Sequence, residues 1–458
     1  MRTRDLERWD PEDDLAWRRG DSRVAWRNLA LSVLSEHIGF SVWSLWSVLV
    51  LFMSPAIGLG FTPSQKFLLV VVPTLVGAAL RLPYSWAVTR FGGRTWTVFA
   101  SAVLLVPALA AFVFVQRPGT PLWVFLLIGA ATGLGGGNFA SSMTNITAFF
   151  PQRYQGRALG LNAGGGNLGV AAVQLIGLLV ISTAGAGHPA YVIAVYLPLI
   201  VLASLLAALG MDNLPKSRVR ADRGAQGEAL RAADTWWISL LYVGTFGSFI
   251  GYGFAFGLVL QTQFGSTPLQ AAGLTFLGPL LGSFARPFGG WLADRRGGAR
   301  VTCWTFAAMA GGTLVLLAAS ARHSLGLFLG GFAVLFVLSG IGNGSTYKLI
   351  PAVFAARAER AVLEGRPAAA EFARARRLSG AVIGIAGAIG ALGGVAVNLV
   401  FRASYGHPGG GGEGAFWSFL GFYALCLLIT RAVYLRPAGQ PALAALATRR
   451  VERDRVRG

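Results

Sequence analysis

Residues 81–97, RLPYSWAVTRFGGRTWT, and residues 286–302, RPFGGWLADRRGGARVT, spell one pattern twice. At a shift of 205, six of the seventeen positions are identical, among them Arg81/Arg286, Arg90/Arg295 and the pairs Gly92-Gly93 and Gly297-Gly298. At a shift of 207, GLGGGNF from Gly133 faces GIGNGST from Gly340. Two further glycine-dense stretches, AGGGNLGV from Ala163 and AGAIGALGGV from Ala386, hold matching places in the two halves. A chain that repeats itself in this way is built from two related units. Such repeats mark secondary transporters, which bind substrate near the bilayer midplane between the units.

Composition puts these repeats in a membrane. Of 458 residues, 54% are hydrophobic and 13% charged, about half the charged share of a soluble domain, and mean hydropathy is +0.58. The net charge of +20 alone fits a nucleic-acid partner, but the hydropathy excludes one, because a basic soluble domain needs far more polar surface. Two cysteines in apolar runs, Cys303 and Cys426, give neither a disulfide framework nor a metal cluster, and no cofactor is expected. Apolar runs long enough to cross a bilayer lie near 28–53, 64–88, 95–115, 121–148, 157–183, 189–210, 235–262, 268–293, 301–320, 324–350, 378–401 and 415–435. In lipid such runs satisfy their backbone hydrogen bonds as helices. Residues 1–27 hold seven arginines and seven acids and read as a solvated cytoplasmic tail, not an export signal.

With a cytoplasmic N-terminus and alternating helices, 31 of the 39 Lys and Arg fall on the cytoplasmic side and four outside (Lys66, Arg117, Arg322, Arg402). That bias predicts both termini inside, in a cytoplasmic (inner) cell membrane. The inside group includes Lys216, Arg218 and Arg220 of the central linker and six cations in a 351–377 loop. The division is then a tail (1–27), a six-helix bundle (28–210), a linker (211–234), a second six-helix bundle (235–435) and a basic tail (436–458). The string Gly290-Trp-Leu-Ala-Asp294-Arg295-Arg-Gly297-Gly298 supplies a Gly-x-x-x-Asp-Arg-x-Gly-Gly loop motif. Its first-half copy carries Ser85 and Thr89 at the Gly and Asp positions. Together these features predict an all-α membrane protein with twelve spans in two pseudo-symmetric bundles, the major facilitator architecture.

Four cations remain within spans, Arg81, Arg286, Lys348 and Arg431, against one carboxylate well inside, Glu36. An arginine at the bilayer centre costs about 2.5–3.5 kcal/mol even on the insertion scale. One reading is structural, with each arginine paired to backbone carbonyls or to Glu36. The other is a cavity left positive for an anion, one arginine on each side. A guanidinium fork suits a planar oxyanion in a way that lysine does not, and one small monovalent planar oxyanion fits the charge count. Most of the glycines read as close-packing residues, whereas Asn138, Asn145, Asn162 and Asn167 need polar partners.

The run Gly135-Gly136-Gly137-Asn138-Phe139-Ala140-Ser141-Ser142-Met143-x-Asn145-Ile146, continued by Gly160-Leu161-Asn162-Ala163-Gly164-x-Gly166-Asn167-Leu168-Gly169-Val170, resembles the first signature of the nitrate/nitrite porter family of the major facilitator superfamily. Gly342-Asn343-Gly344-Ser345-x-x-Lys348-x-Ile350-Pro351 and the glycines from Gly384 to Gly394 resemble its second-half counterparts. The resemblance implies Arg81 and Arg286 as the substrate arginines, Asn167 as a substrate amide, and Tyr242, Phe246, Phe139 and Phe40 as site residues. Gly135, Gly164, Gly166, Gly169, Gly342, Gly387 and Gly390 are read from their small size as helix-packing and gating glycines. Two departures stand out. The eleventh span reads Ala386-Gly387-Ala388, with no hydroxyl or amide where some relatives place one. The first span carries Glu36-His37, where antiporter-like members look free of protonatable groups.

The expected function is therefore secondary transport of nitrate and/or nitrite by alternating access, in a chain for which a monomer suffices. Coupling is either nitrate/proton symport, with Glu36 and His37 as candidates, or nitrate/nitrite antiport. An ion pair of Glu36 with Lys348 or an arginine is the competing reading of that carboxylate. A carrier of another small anion and a passive anion channel are the alternatives. An enzyme is not expected, because the four histidines (His37, His188, His323, His407) make no metal-ligand or nucleophile–base spacing.

Overall fold

The computed structural model describes residues 5–214, 223–406 and 411–435. Lys216, Arg218, Arg220, His407 and the 436–458 tail lie outside them. Regular structure within them is helical, apart from one isolated bridge between Asp5 and Asn213. The long helical elements are α1 (Asp14–Phe52), α2 (Pro63–Phe91), α3 (Gly93–Phe114), α4 (Leu122–Phe149), α5 (Arg153–Ala184), α6 (Pro189–Gly210) and α7 (Ala233–Phe264). They continue as α8 (Pro268–Thr275 with Leu277–Arg296), α9 (Gly298–Ala321), α10 (Leu325–Leu363), α11 (Ala368–Tyr405) and α12 (Glu413–Tyr434). A short helix, Arg223–Arg231, precedes α7. Eleven of these elements are long and apolar enough to cross a membrane. The exception, α8, is dense in glycine and proline and carries Arg286 and Asp294, which lowers its hydropathy.

The repeat seen in the sequence is also a repeat of helix punctuation. α2 opens on Thr62, whose hydroxyl caps Gln65 while the Gln65 side chain returns to the Thr62 N–H, with Pro63 at the first position. α8 opens on the same box at Thr267, Pro268 and Gln270. Such a box satisfies two otherwise orphaned N–H groups. Both helices end at a glycine with positive φ, Gly92 at 91° and Gly297 at 86°, a conformation that side-chain-bearing residues avoid. Start, arginine and stop therefore all recur at a shift of 205.

Packing repeats too. α2 packs on α4, α1 on α5 and α3 on α6, as α8 does on α10, α7 on α11 and α9 on α12. The two lobes meet where α2 lies on α11, α5 on α8 and α1 on α7. At one end this seam is sealed: Phe67 of α2 stacks on Phe401 (6.0 Å) and Tyr405 (5.8 Å) of α11, and Arg402 Nε donates to Ser64 Oγ at 3.1 Å. At the other end, Gly156, Gly160 and Gly164 of α5 and Gly380 and Gly384 of α11 have no neighbour within 4 Å of a Cβ position. These glycines recur at helical spacing on the faces that lead to Asn167 and Gly387, and a Cβ on any of them would meet open space.

Two stretches differ from expectation. The 351–377 segment is helical, not a loop. α10 runs through Pro351 to Leu363, Gly365 turns the chain at φ 97°, and α11 begins at Ala368. Ten alanines in that segment favour helix whatever its hydropathy. Residues 5–27 keep most of their side chains in contact with solvent but are anchored to the bundle at a few rings and ion pairs. Trp9 meets Phe149 (5.2 Å), Trp17 lies between Phe150 (5.8 Å) and Tyr154 (5.9 Å), and Asp14 pairs with Arg153. Leu6 N–H donates to the Asn213 carbonyl, and Arg27 and Asn28 both hold Asp212. Apolar rings spaced among the charges supply the contact that net charge conceals.

Candidate functional site

The repeated arginines converge between the lobes. Arg81 of α2 is 1% exposed and Arg286 of α8 7% exposed. A proline follows each, Pro83 and Pro287, and an interior proline frees the carbonyl four residues earlier and loosens the helix beside the charge. Arg81 Nη1 crosses the seam to donate to the Gly387 carbonyl of α11 at 2.5 Å. Arg286 Nη2 donates to the Tyr242 hydroxyl of α7 at 3.3 Å. Arg81 Nε and Nη2 and Arg286 Nη1 are buried without a protein partner. Nε and Nη2 form the lateral two-donor edge of a guanidinium, so Arg81 presents an intact fork. Among the described residues no carboxylate lies within ion-pair distance of either arginine.

Aromatic rings wall this space. The Arg81 guanidinium carbon lies 4.6 Å from the Phe139 ring centre, 5.1 Å from Phe246 and 5.9 Å from Trp43. Tyr242 and Phe246 stack at 5.2 Å. Phe246 lies in the π-helical turn Val243–Gly247 that follows Tyr242 directly, and residues four apart share a helical face. Phe139 lies 6.4 Å from Phe246 and 6.1 Å from Phe40, which in turn packs on Trp43 at 5.1 Å. The faces of such rings favour a cation, so they hold the guanidiniums in place without supplying an acceptor. Asn167 of α5 is fully buried and neither of its amide atoms has a partner.

Glu36 of α1 sits behind this space. It is fully buried, and its Oε2 accepts from Ser142 and, at 2.7 Å, from Asn162 Nδ2. Oε1 has no partner. The expected alternative, a pair with Lys348, is not formed. Lys348 is half-exposed and pairs at 2.9 Å with Asp294 of the loop motif, so it belongs to the helix end and not to the interior charges. His37 Nδ1 lies 3.0 Å from the Gly165 carbonyl, on the neighbouring face of α1.

The singled-out glycines divide by surroundings. A Cβ would collide with the Gly39 carbonyl at Gly135, with Glu36 at Gly166, with the His37 carbonyl at Gly169, with Thr245 at Gly342 and with Tyr242 at Gly390. These five let helices close on one another. Gly164 faces open space, and Gly387 faces the site.

Sequence reading passed over Tyr347 of α10, which fell on an unassigned position between Ser345 and Lys348. Its ring lies 5.4 Å from the Arg286 guanidinium carbon and 5.2 Å from Tyr242. Its hydroxyl is buried without a partner. A Cβ on Gly387 would stand 3.7 Å from Arg81 Nη1, 3.7 Å from Phe139 and 3.9 Å from the Tyr347 hydroxyl. Trp43 was missed as well, although it follows Phe40 by three residues on the same helical face.

Comparison with known proteins follows the same lines. Residues 37–396 match the Major Facilitator Superfamily. The chain is 37% identical over 453 residues to the nitrate/nitrite transporter NarU of Escherichia coli, covering 94% of this chain and 96% of that one. It is 39% identical to the NarU protein of Salmonella typhimurium over the same shares, 94% and 96%. It is 33% identical to a probable nitrate/nitrite antiporter, NarK2, of Thermus thermophilus, covering 80% and 86%. Among solved structures, the xylose transporter XylE of E. coli superposes with a TM-score of 0.65 at 14% identity, covering 90% of this chain and 98% of that one. A bacterial homolog of the lysosomal transporter Spinster gives 0.63 at 16% identity, covering 88% and 95%.

Proposed function

The chain belongs to the nitrate/nitrite transporter family of the major facilitator superfamily, and from that premise we propose that Arg81 and Arg286 clamp one nitrate or nitrite between the lobes. The observation that carries this reading is the pair of buried guanidiniums with unpaired N–H groups and, among the described residues, no carboxylate at ion-pair distance. A buried cation without a partner is costly, and a small planar oxyanion offsets two of them with paired hydrogen bonds. Phe139, Phe246, Tyr242 and Phe40 exclude water around it, and Asn167 offers an amide from α5. Alternating access follows, as the two lobes rock about the bound anion while the close-packed glycines keep helices in sliding contact.

In this reading α8 is the twelfth span, in two bundles of six (28–210 and 235–435) with both termini cytoplasmic, and one chain carries the whole site. The 31-to-4 distribution of cations supports that orientation. Glu36, with an unpartnered Oε1 and, among the described residues, no cation at ion-pair distance, supports proton coupling, with His37 beside it. Nitrate/nitrite exchange is the other mode. Nitrate uptake by the purified chain in proteoliposomes tests all of this, run once against internal nitrite and once with an inward proton gradient. Uptake in either regime is expected, with trans-stimulation that a passive channel would lack. Absence of uptake in both regimes would end the proposal.

A further inference from the structure

We infer that the Tyr347 hydroxyl reads the third oxygen of nitrate and thereby sets nitrate above nitrite at this site. The inference rests on the anion reading given above and adds a specificity-determining residue to it. Three observations combine. The free lateral edge of Arg81, Nε and Nη2, engages two oxygens of a planar anion side by side. For nitrite that edge uses every oxygen the ion has. For nitrate one oxygen remains, projecting away from Arg81 toward whatever donors stand opposite.

The buried, unpartnered donors available from α8 and α10 are Arg286 Nη1 and the Tyr347 hydroxyl, on adjacent elements whose side chains are already in contact, the guanidinium 5.4 Å from the tyrosine ring. Gly387 makes room for this. Lacking a side chain, it leaves a gap bordered by Arg81 Nη1, Phe139 and the Tyr347 hydroxyl, each within 3.9 Å of where a Cβ would sit. α11 itself offers no hydroxyl or amide there, since Gly387 is flanked by Ala386 and Ala388. The hydroxyl that α11 lacks is supplied from α10. A buried donor that one anion satisfies and the other leaves unpaired discriminates strongly between them.

Tyr347→Phe keeps the ring against Arg286 and removes only the hydroxyl. Nitrate and nitrite binding to the purified full-length chain, wild type and variant, is measured by titration calorimetry. The nitrate Kd is expected to rise about tenfold or more, the scale of one hydrogen bond to a charged group, while the nitrite Kd moves by less than about twofold. A merely structural role for the tyrosine would weaken both anions alike, and an unchanged ratio of the two affinities overturns the inference. Wild-type protein that binds neither anion would instead overturn the anion reading on which it rests. A second measurement needs no loss of the hydroxyl. With 3-fluorotyrosine at position 347, the ¹⁹F resonance is expected to shift on adding potassium nitrate and to stay nearly still on potassium nitrite. Equal shifts, or none, sink the proposal.

Discussion

Arg81 and Arg286 matter because each keeps unpaired N–H groups in a buried place where, among the described residues, no carboxylate comes within ion-pair distance. Lysine at either position keeps the charge and loses the fork, so nitrate uptake by Arg81→Lys or Arg286→Lys should fall at least about tenfold with the protein still inserted. Wild-type uptake by either variant would contradict bidentate recognition. Glu36→Gln can still accept from Ser142 but cannot carry a proton. Uptake driven by a pH gradient is expected to collapse while nitrate/nitrite counterflow persists, and unchanged gradient-driven uptake would remove Glu36 from the mechanism. The arginines were legible in the sequence because charge is so rare inside the spans and because they recur at matching places. Tyr347 was not, since a tyrosine in an apolar run looks like any packing residue until α10 is laid beside α8. The partners of Glu36, Ser142 and Asn162, were hidden for the same reason: their contacts join three different helices.

At the level of elements, hydropathy located the long helices well and their ends poorly, and eleven of them are long and apolar enough to span. It reports which residues face lipid, not which are helical, so α10 and α11 continue well past the apolar runs that announced them. The alanine-rich, charged extension is held to the Arg223–Arg231 helix and the start of α7 by pairs of Arg374 with Glu228 and Arg357 with Asp234. The anchoring of the N-terminal strap was not legible because counting charge overlooks three tryptophans, Trp9, Trp17 and Trp26, placed among the arginines. Trp17 is 6% exposed, and truncating a buried tryptophan costs about 3–5 kcal/mol. Trp17→Ala should therefore lower the melting temperature clearly while leaving nitrate affinity unchanged, because the strap touches none of the site residues. A variant that melts like wild type would show the strap to be loosely held.

The lobes are joined by stacked rings at the Phe67–Tyr405 end, while the glycine faces of α5 and α11 at the other end adjoin open space. Cysteines at Gly160 and Gly384, in a background without Cys303 and Cys426, should react with a membrane-impermeant maleimide from the side that carries the termini. Labelling only from the opposite side would reverse the orientation. Each arginine lies nineteen residues beyond its capping threonine, Thr62 or Thr267, so its bearing on the cleft is a matter of counting from a fixed start. One residue inserted into a helix turns everything after it by about 100°. α2 and α8 should therefore accept many substitutions yet reject any change of length. An alanine added between Gln65 and Gly77 would swing Arg81 off the cleft and silence transport, whereas the same alanine in the 115–121 loop would go unnoticed. In a scan of single-residue insertions, these two helices would stand out as the least tolerant stretches of the chain.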